Sequence, residues 1–134
     1  MLDDVIESKK KFNDITIENM DFAELIKRYE PRHGDLWYLD PPYYIATDRG
    51  DYYRHNFTKN DHDILANCVR FIDEKGGKFM VSYDNKKEVR KLYENFHIFE
   101  IHTQYSGNNH IMQKPRIELV ITNYKPYKQE RLFE

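Results

Sequence analysis

The sequence predicts an α/β fold with a mostly parallel sheet and an antiparallel final strand. Two observations carry the prediction. Short runs of strand-forming residues alternate with stretches whose apolar residues recur every three and four positions. The run Leu36-Trp37-Tyr38-Leu39, announced by Gly34-Asp35, stops at Asp40-Pro41-Pro42, because proline cannot donate to a sheet ladder. An acid is thereby left at the carboxyl end of an expected central strand, the edge at which open α/β sheets bind ligands.

Composition narrows the class. The 134 residues are 40% hydrophobic and 33% charged, enough for one domain with a real core. No apolar run approaches the roughly 18 residues of a membrane span and no signal peptide opens the chain. The lone Cys68 excludes an internal disulfide and fits a reducing, cytoplasmic setting. A net charge of −2 gives no global attraction to nucleic acid. Any DNA contact must come from a local patch or from a segment outside this chain. The aromatic content of 15% reads either as stacking surface or as a Tyr-rich core.

The elements follow in order. Residues 1–13 are polar, with Lys9-Lys10-Lys11 in a row, and read as a solvated start. Ile15-Thr16-Ile17 alternates as a strand. Ala23 to Tyr29 has helical spacing, with Phe22, Leu25 and Ile26 on one face and Asp21 as its cap. After the Leu36 strand, residues 45–56 form a long polar connection, the kind that serves as a lid beside a site. Thr58 or Asn60 caps a helix from Asp61 to Lys75, with Ile64, Leu65, Cys68, Val69 and Ile72 inward. Gly76-Gly77 ends it. Lys78 to Tyr83 is a strand running into Asp84-Asn85. Lys86 to Glu94 is a charged amphipathic helix with Val89, Leu92 and Tyr93 inward. His97 to Tyr105 alternates as a strand, Ser106-Gly107-Asn108-Asn109 is a turn or hairpin tip, and Glu118 to Tyr124 is the last strand, stopped by Pro126.

The chemistry concentrates in Asp40-Pro41-Pro42-Tyr43-Tyr44. A carboxylate that only accepts hydrogen bonds lies beside a prolyl carbonyl. Together they offer two acceptors to one amino group bearing two hydrogens, and Tyr43 offers a ring to a flat heterocycle. This suits the exocyclic amine of a nucleobase, whose lone pair is conjugated into the ring and must be localised before it attacks an electrophile. The structural alternative is a buried strand leaving through a proline turn that Asp40 caps. His55, Asp61, His62 and Asp63 lack a specific metal-ligand spacing, and acids at a helix start answer the helix dipole.

Asp40-Pro41-Pro42-Tyr43 matches the DPPY motif of the amino-methylating DNA methyltransferases. Over about residues 12 to 124 the chain resembles their Dam-type, adenine-specific branch. The resemblance implies methyl transfer from S-adenosylmethionine (SAM) to the amino group of adenine in DNA, as in restriction–modification. It assigns Asp40, Pro41, Pro42 and Tyr43 to catalysis, and Asp21, Phe22 and Asp40 to the cofactor. For Asp21 the helix cap stands beside that role. Substrate contacts are implied for Tyr44, for Arg49 and Arg54 on phosphates, and for Tyr52 or Tyr53 by stacking; the alternative for this connection is a surface loop with ordinary charge. Ser82 flanks the target pocket or serves a turn; Ser106 and Asn108 lie in a late loop near the base or at a simple hairpin tip. The implied fold is part of the Rossmann-like SAM-methyltransferase sheet.

The Gly-rich SAM loop, the strand with the ribose-binding acid and the recognition domain of the family all precede the matched segment. Gly76-Gly77 ends a helix and precedes a strand, the reverse of a nucleotide loop. The expected organisation is a polar segment over 1–13, the C-terminal half of the catalytic domain over 14–125, and a flexible tail over 126–134. The chain then reads as an excised piece, a subunit completed by a partner, or a truncated reading frame. The alternative is a noncatalytic relic or interaction module that keeps the fold. Self-association through an exposed edge is expected. In the tail, Gln129, Leu132 and Phe133 either fold back onto the domain or, resembling a short clamp-binding peptide, engage a sliding clamp.

Overall fold

The computed structural model describes residues 14–44, 57–103 and 116–126. Among them the elements run α1 (Phe22–Tyr29), β1 (Leu36–Leu39), α2 (Lys59–Glu74), β2 (Lys78–Asp84), α3 (Lys87–Leu92), β3 (His97–Thr103) and β4 (Arg116–Thr122). They make a mixed α/β fold around a four-stranded sheet ordered β1-β2-β4-β3. β1 and β2 are parallel, and β4 runs antiparallel between β2 and β3. Three strands therefore share one direction and the last opposes them, although only the β1–β2 ladder is parallel.

Local chemistry explains the boundaries. Asp21 caps α1, its Oδ1 accepting from the amides of Ala23 and Glu24 at 2.9 and 3.2 Å. Thr58, one of the two candidates, caps α2 within a capping box. Its hydroxyl accepts from the Asp61 amide, and the Asp61 carboxylate accepts from the Thr58 amide. The Thr58 hydroxyl, which also donates to the Asp61 carboxylate at 2.7 Å, and then the Thr58 amide hold the Asp61 carboxyl below its ordinary pKa. Gly76, at φ +79°, supplies the left-handed step that turns α2 back toward β2.

The core lies on one face of the sheet. Leu65, Ala66, Val69 and Ile72 of α2 are buried with Phe79, Val81 and Tyr83 of β2, Leu119 and Ile121 of β4, Ile26 of α1 and Val89 of α3. Cys68 packs at the margin of this cluster. The inward spacing expected of α2 holds except at Ile64, which is 36% exposed. Strand alternation and register put Leu36, Tyr38, Met80, Ser82, Val120, Phe99 and Ile101 on the opposite face.

Two expectations are corrected. Residues 15–19 form no strand, and Ile15 and Ile17 are 53% and 80% exposed. Alternation makes a strand only where a neighbouring ladder and a packed face reward it, and no described strand pairs with this segment. The second correction concerns Leu36–Leu39, which was expected to be central. Among the described strands it is an edge, with Leu36 and Tyr38 each 63% exposed.

Candidate active site

The carboxyl ends of β1 and β2 meet the start of β4 at one edge of the sheet. Leu39 pairs with Val81, so Asp40 falls level with Ser82. The Ser82 hydroxyl donates to Asp40 Oδ1 at 2.6 Å, the length of a strong charge-assisted bond. Asp40 is otherwise exposed, and no described residue engages its second oxygen. The turn that follows is stiff, because Pro41 and Pro42 fix their φ angles. Tyr43 is 47% exposed, and its hydroxyl donates to Glu118 Oε1 at 3.3 Å. An open cleft of about 440 Å³ lies beside it, lined by Tyr43, Asp84, Asn85, Lys86, Arg116 and neighbouring β4 residues.

The far end of the turn is buried. Tyr44 is 6% exposed; its amide donates to Asp84 Oδ1 at 2.9 Å, and its ring lies 4.8 Å from that of His62. Ser82 and Asp84 are two residues apart on one face of β2, while Tyr83 points to the core face. The turn thus straddles the end of β2, tied by Ser82 and Asp84 on one side and packed on His62 on the other. His62 is fully buried, with Nδ1 2.7 Å from the Tyr83 hydroxyl. Burial lowers its pKa, opposed by Asp84, Asp61 and Asp63. Burial also raises the Tyr83 hydroxyl pKa far above its ordinary value.

The structure brings Asp40, Pro41, Pro42, Tyr43, Tyr44 and Ser82 together. Asp21 and Phe22 sit at the start of α1. Asp21 is engaged as the cap, and Phe22 is half-buried with its ring 5.5 Å from Phe57. Arg49, Tyr52, Tyr53, Arg54, Ser106, Asn108, Gln129, Leu132 and Phe133 lie outside the described residues. Sequence reasoning missed Glu118 as the partner of Tyr43, a pairing 75 residues apart with no local signal. It also passed over His62 as a packing residue. The signal was present: Leu65, Ala66 and Val69 follow it by three, four and seven, the spacing of one buried stripe.

Comparison with known proteins bears on what this edge is for. The family model for D12 class N6 adenine-specific DNA methyltransferases matches residues 2–107. The chain belongs to this family. It is 30% identical over 128 residues to the type II methyltransferase M1.LlaDCHI of Lactococcus lactis subsp. cremoris, covering 90% of this chain and 44% of that protein. It is also 36% identical over 63 residues to the retron Ec67 DNA adenine methylase of Escherichia coli, covering 47% of this chain and 21% of that one. The D12-class chain therefore spans less than half the length of the curated relatives it matches. None of its described helices is long and apolar enough to cross a membrane.

Proposed function

We propose that this D12-class chain supplies the amine-positioning part of an enzyme that methylates the exocyclic amino group of adenine in DNA, with SAM as methyl donor. The observation that carries the reading is the exposed Asp40 carboxylate at the carboxyl end of β1, fixed through one oxygen by Ser82. The second oxygen and the Pro41 carbonyl accept the two amine hydrogens, and Tyr43 stacks on the ring. These bonds draw the lone pair onto nitrogen, and preorganised acceptors need no rearrangement as positive charge develops there. The adenine must first leave the duplex, since its amine is not presented to a pocket while stacked.

The described residues suit part of a SAM site. Phe22 offers a half-buried aromatic face and Asp40 an acceptor. Asp21 already spends Oδ1 on two α1 amides, so its second oxygen is the one open to a ligand. The only adjacent glycines, Gly76 and Gly77, close α2 and form no phosphate- or carboxylate-cradling turn. SAM, when bound, supplies an electrophilic methyl group; this chain's residues hold and orient the base. Residues 14–125 act, in this reading, as the C-terminal half of a catalytic domain, and the chain alone binds SAM weakly.

The test is nucleoside analysis after incubation with labelled SAM and adenine-containing duplex DNA, with the chain supplemented by the N-terminal half of a D12-class relative. Label in N6-methyladenine is expected only in the supplemented reaction. Label confined to cytosine would overturn the reading.

A further inference from the structure

The geometry points to His62 as a positioning residue for the Asp40–Tyr44 turn, its ring wedged between Tyr44 and Tyr83 so that the turn stays seated across the end of β2. The inference rests on the methyltransferase reading only for its consequence in catalysis; the mechanical link stands without it.

Three segments far apart in the chain converge on this imidazole. Tyr44 packs on it from the turn, with ring centroids 4.8 Å apart. Phe57 meets it edge-on at 4.7 Å from just before α2. Tyr83 approaches from β2, with ring centroids 5.6 Å apart and its hydroxyl 2.7 Å from Nδ1. The capping box at Thr58 and Asp61 fixes the first turn of α2, and with it the height at which His62 enters the core. A plain apolar residue would fill the same volume. The hydrogen bond to Tyr83 adds a fixed plane for the ring, and that plane is what Tyr44 rests on.

Rigidity does the rest. Four residues along the chain from Asp40, Tyr44 is the first residue of the turn that is buried, and the two prolines between them leave few torsions to absorb movement. A shift of Tyr44 is therefore transmitted to the Asp40 carboxylate, where a displacement of about 1 Å is enough to spoil a reacting geometry. Asp84 holds the Tyr44 amide by a single bond at 2.9 Å on the face of β2 away from His62. The ring contact on the opposite face of β2 closes the clamp.

Amide hydrogen exchange by NMR tests this on the chain itself, with no cofactor or DNA. In His62→Leu, which keeps the core filled, the Tyr44 amide is expected to exchange at least about tenfold faster, while Val81 and Ile121 remain protected as in the parent. In His62→Phe, which supplies a ring without the hydrogen bond to Tyr83 that fixes its plane, Tyr44 regains only part of its protection. Tyr44→Leu leaves α2 and β2 intact and is expected to move the Asp40 carboxyl carbon resonance as His62→Leu does. If His62→Leu does not fold, the Tyr44→Leu and His62→Phe results decide the matter. Loss of Tyr44 protection only in step with Val81 and Ile121 would reduce His62 to an ordinary core residue, as would an unmoved Asp40 resonance in Tyr44→Leu. In the methylating enzyme His62→Leu lowers kcat and leaves the KM for SAM unchanged. Should exchange behave as expected while no methylation is found in any variant, the clamp stands and the proposed function falls.

Discussion

Ser82 and Asp40 approach to 2.6 Å across 42 residues of sequence, and that contact defines what each side chain near the sheet edge can do. Ser82 occupies Oδ1 and aims the carboxylate; Asp40 keeps its other oxygen for a donor. Ser82→Ala is expected to slow methyl transfer roughly tenfold or more, the worth of one hydrogen bond to a charged group of about 1.5–3 kcal/mol. An unchanged single-turnover rate would remove Ser82 from the account. Tyr43 has a separate task, so Tyr43→Ala should weaken base capture by roughly 1–3 kcal/mol. Fluorescence of 2-aminopurine at the target position reads this directly, and undiminished flipping argues against stacking. The placement of the acid, the prolines and Tyr43 at the end of β1 was legible in the sequence because prolines stop a strand locally. Glu118 was not, since its role depends on β4 lying antiparallel to β2 in one register, which no local pattern specifies.

At the level of elements, α2 joins the turn to the core through His62, and this junction has a pH signature. The folded His62 has a pKa below its ordinary 6.5, chiefly through burial, with Asp61 and Asp63 of α2 and Asp84 of β2 pulling the other way. The unfolded chain thus takes up this proton first. The His62 contribution is whole above pH 6.5 and is lost as pH falls from 6.5 toward the lower folded value. Urea unfolding at a series of pH values should show a stability loss on acidification through this range that His62→Phe lacks. Parallel curves for parent and variant would mean that His62 is not held neutral. Helix boundaries were readable to within a few residues because caps and glycines are local. Ile15-Thr16-Ile17 was misread because its alternation is local too, whereas pairing is not: the strand it resembles requires a neighbour that the described residues do not provide.

Among the described residues, the apolar core covers one face of the sheet and leaves much of the other exposed. Opposite the core, Leu36, Tyr38, Phe99 and Ile101 are between 36% and 63% exposed, and the outer side of β1 pairs with no described strand. Beyond it an open cleft of about 440 Å³ is lined by Thr16, Glu18, Leu25, Tyr29, Asp35, Leu36 and Trp37. An unpaired edge next to an apolar face invites strand addition. Sedimentation velocity is expected to show concentration-dependent self-association of the chain, suppressed by Tyr38→Lys. A strictly monomeric species at high concentration would show that this surface is already satisfied. The fold class was accessible from the order of elements, but the exposed face was not, because periodicity gives which residues alternate and never which side finds a partner. In the proposed reaction Asp40 orients a base amine for methyl transfer. That role is tested most directly by single-turnover methylation of adenine-containing DNA, comparing Asp40→Ala with the parent in the N-terminally supplemented enzyme. A fall of about a hundredfold or more in the chemical step is predicted; a rate equal to the parent's would contradict the claim.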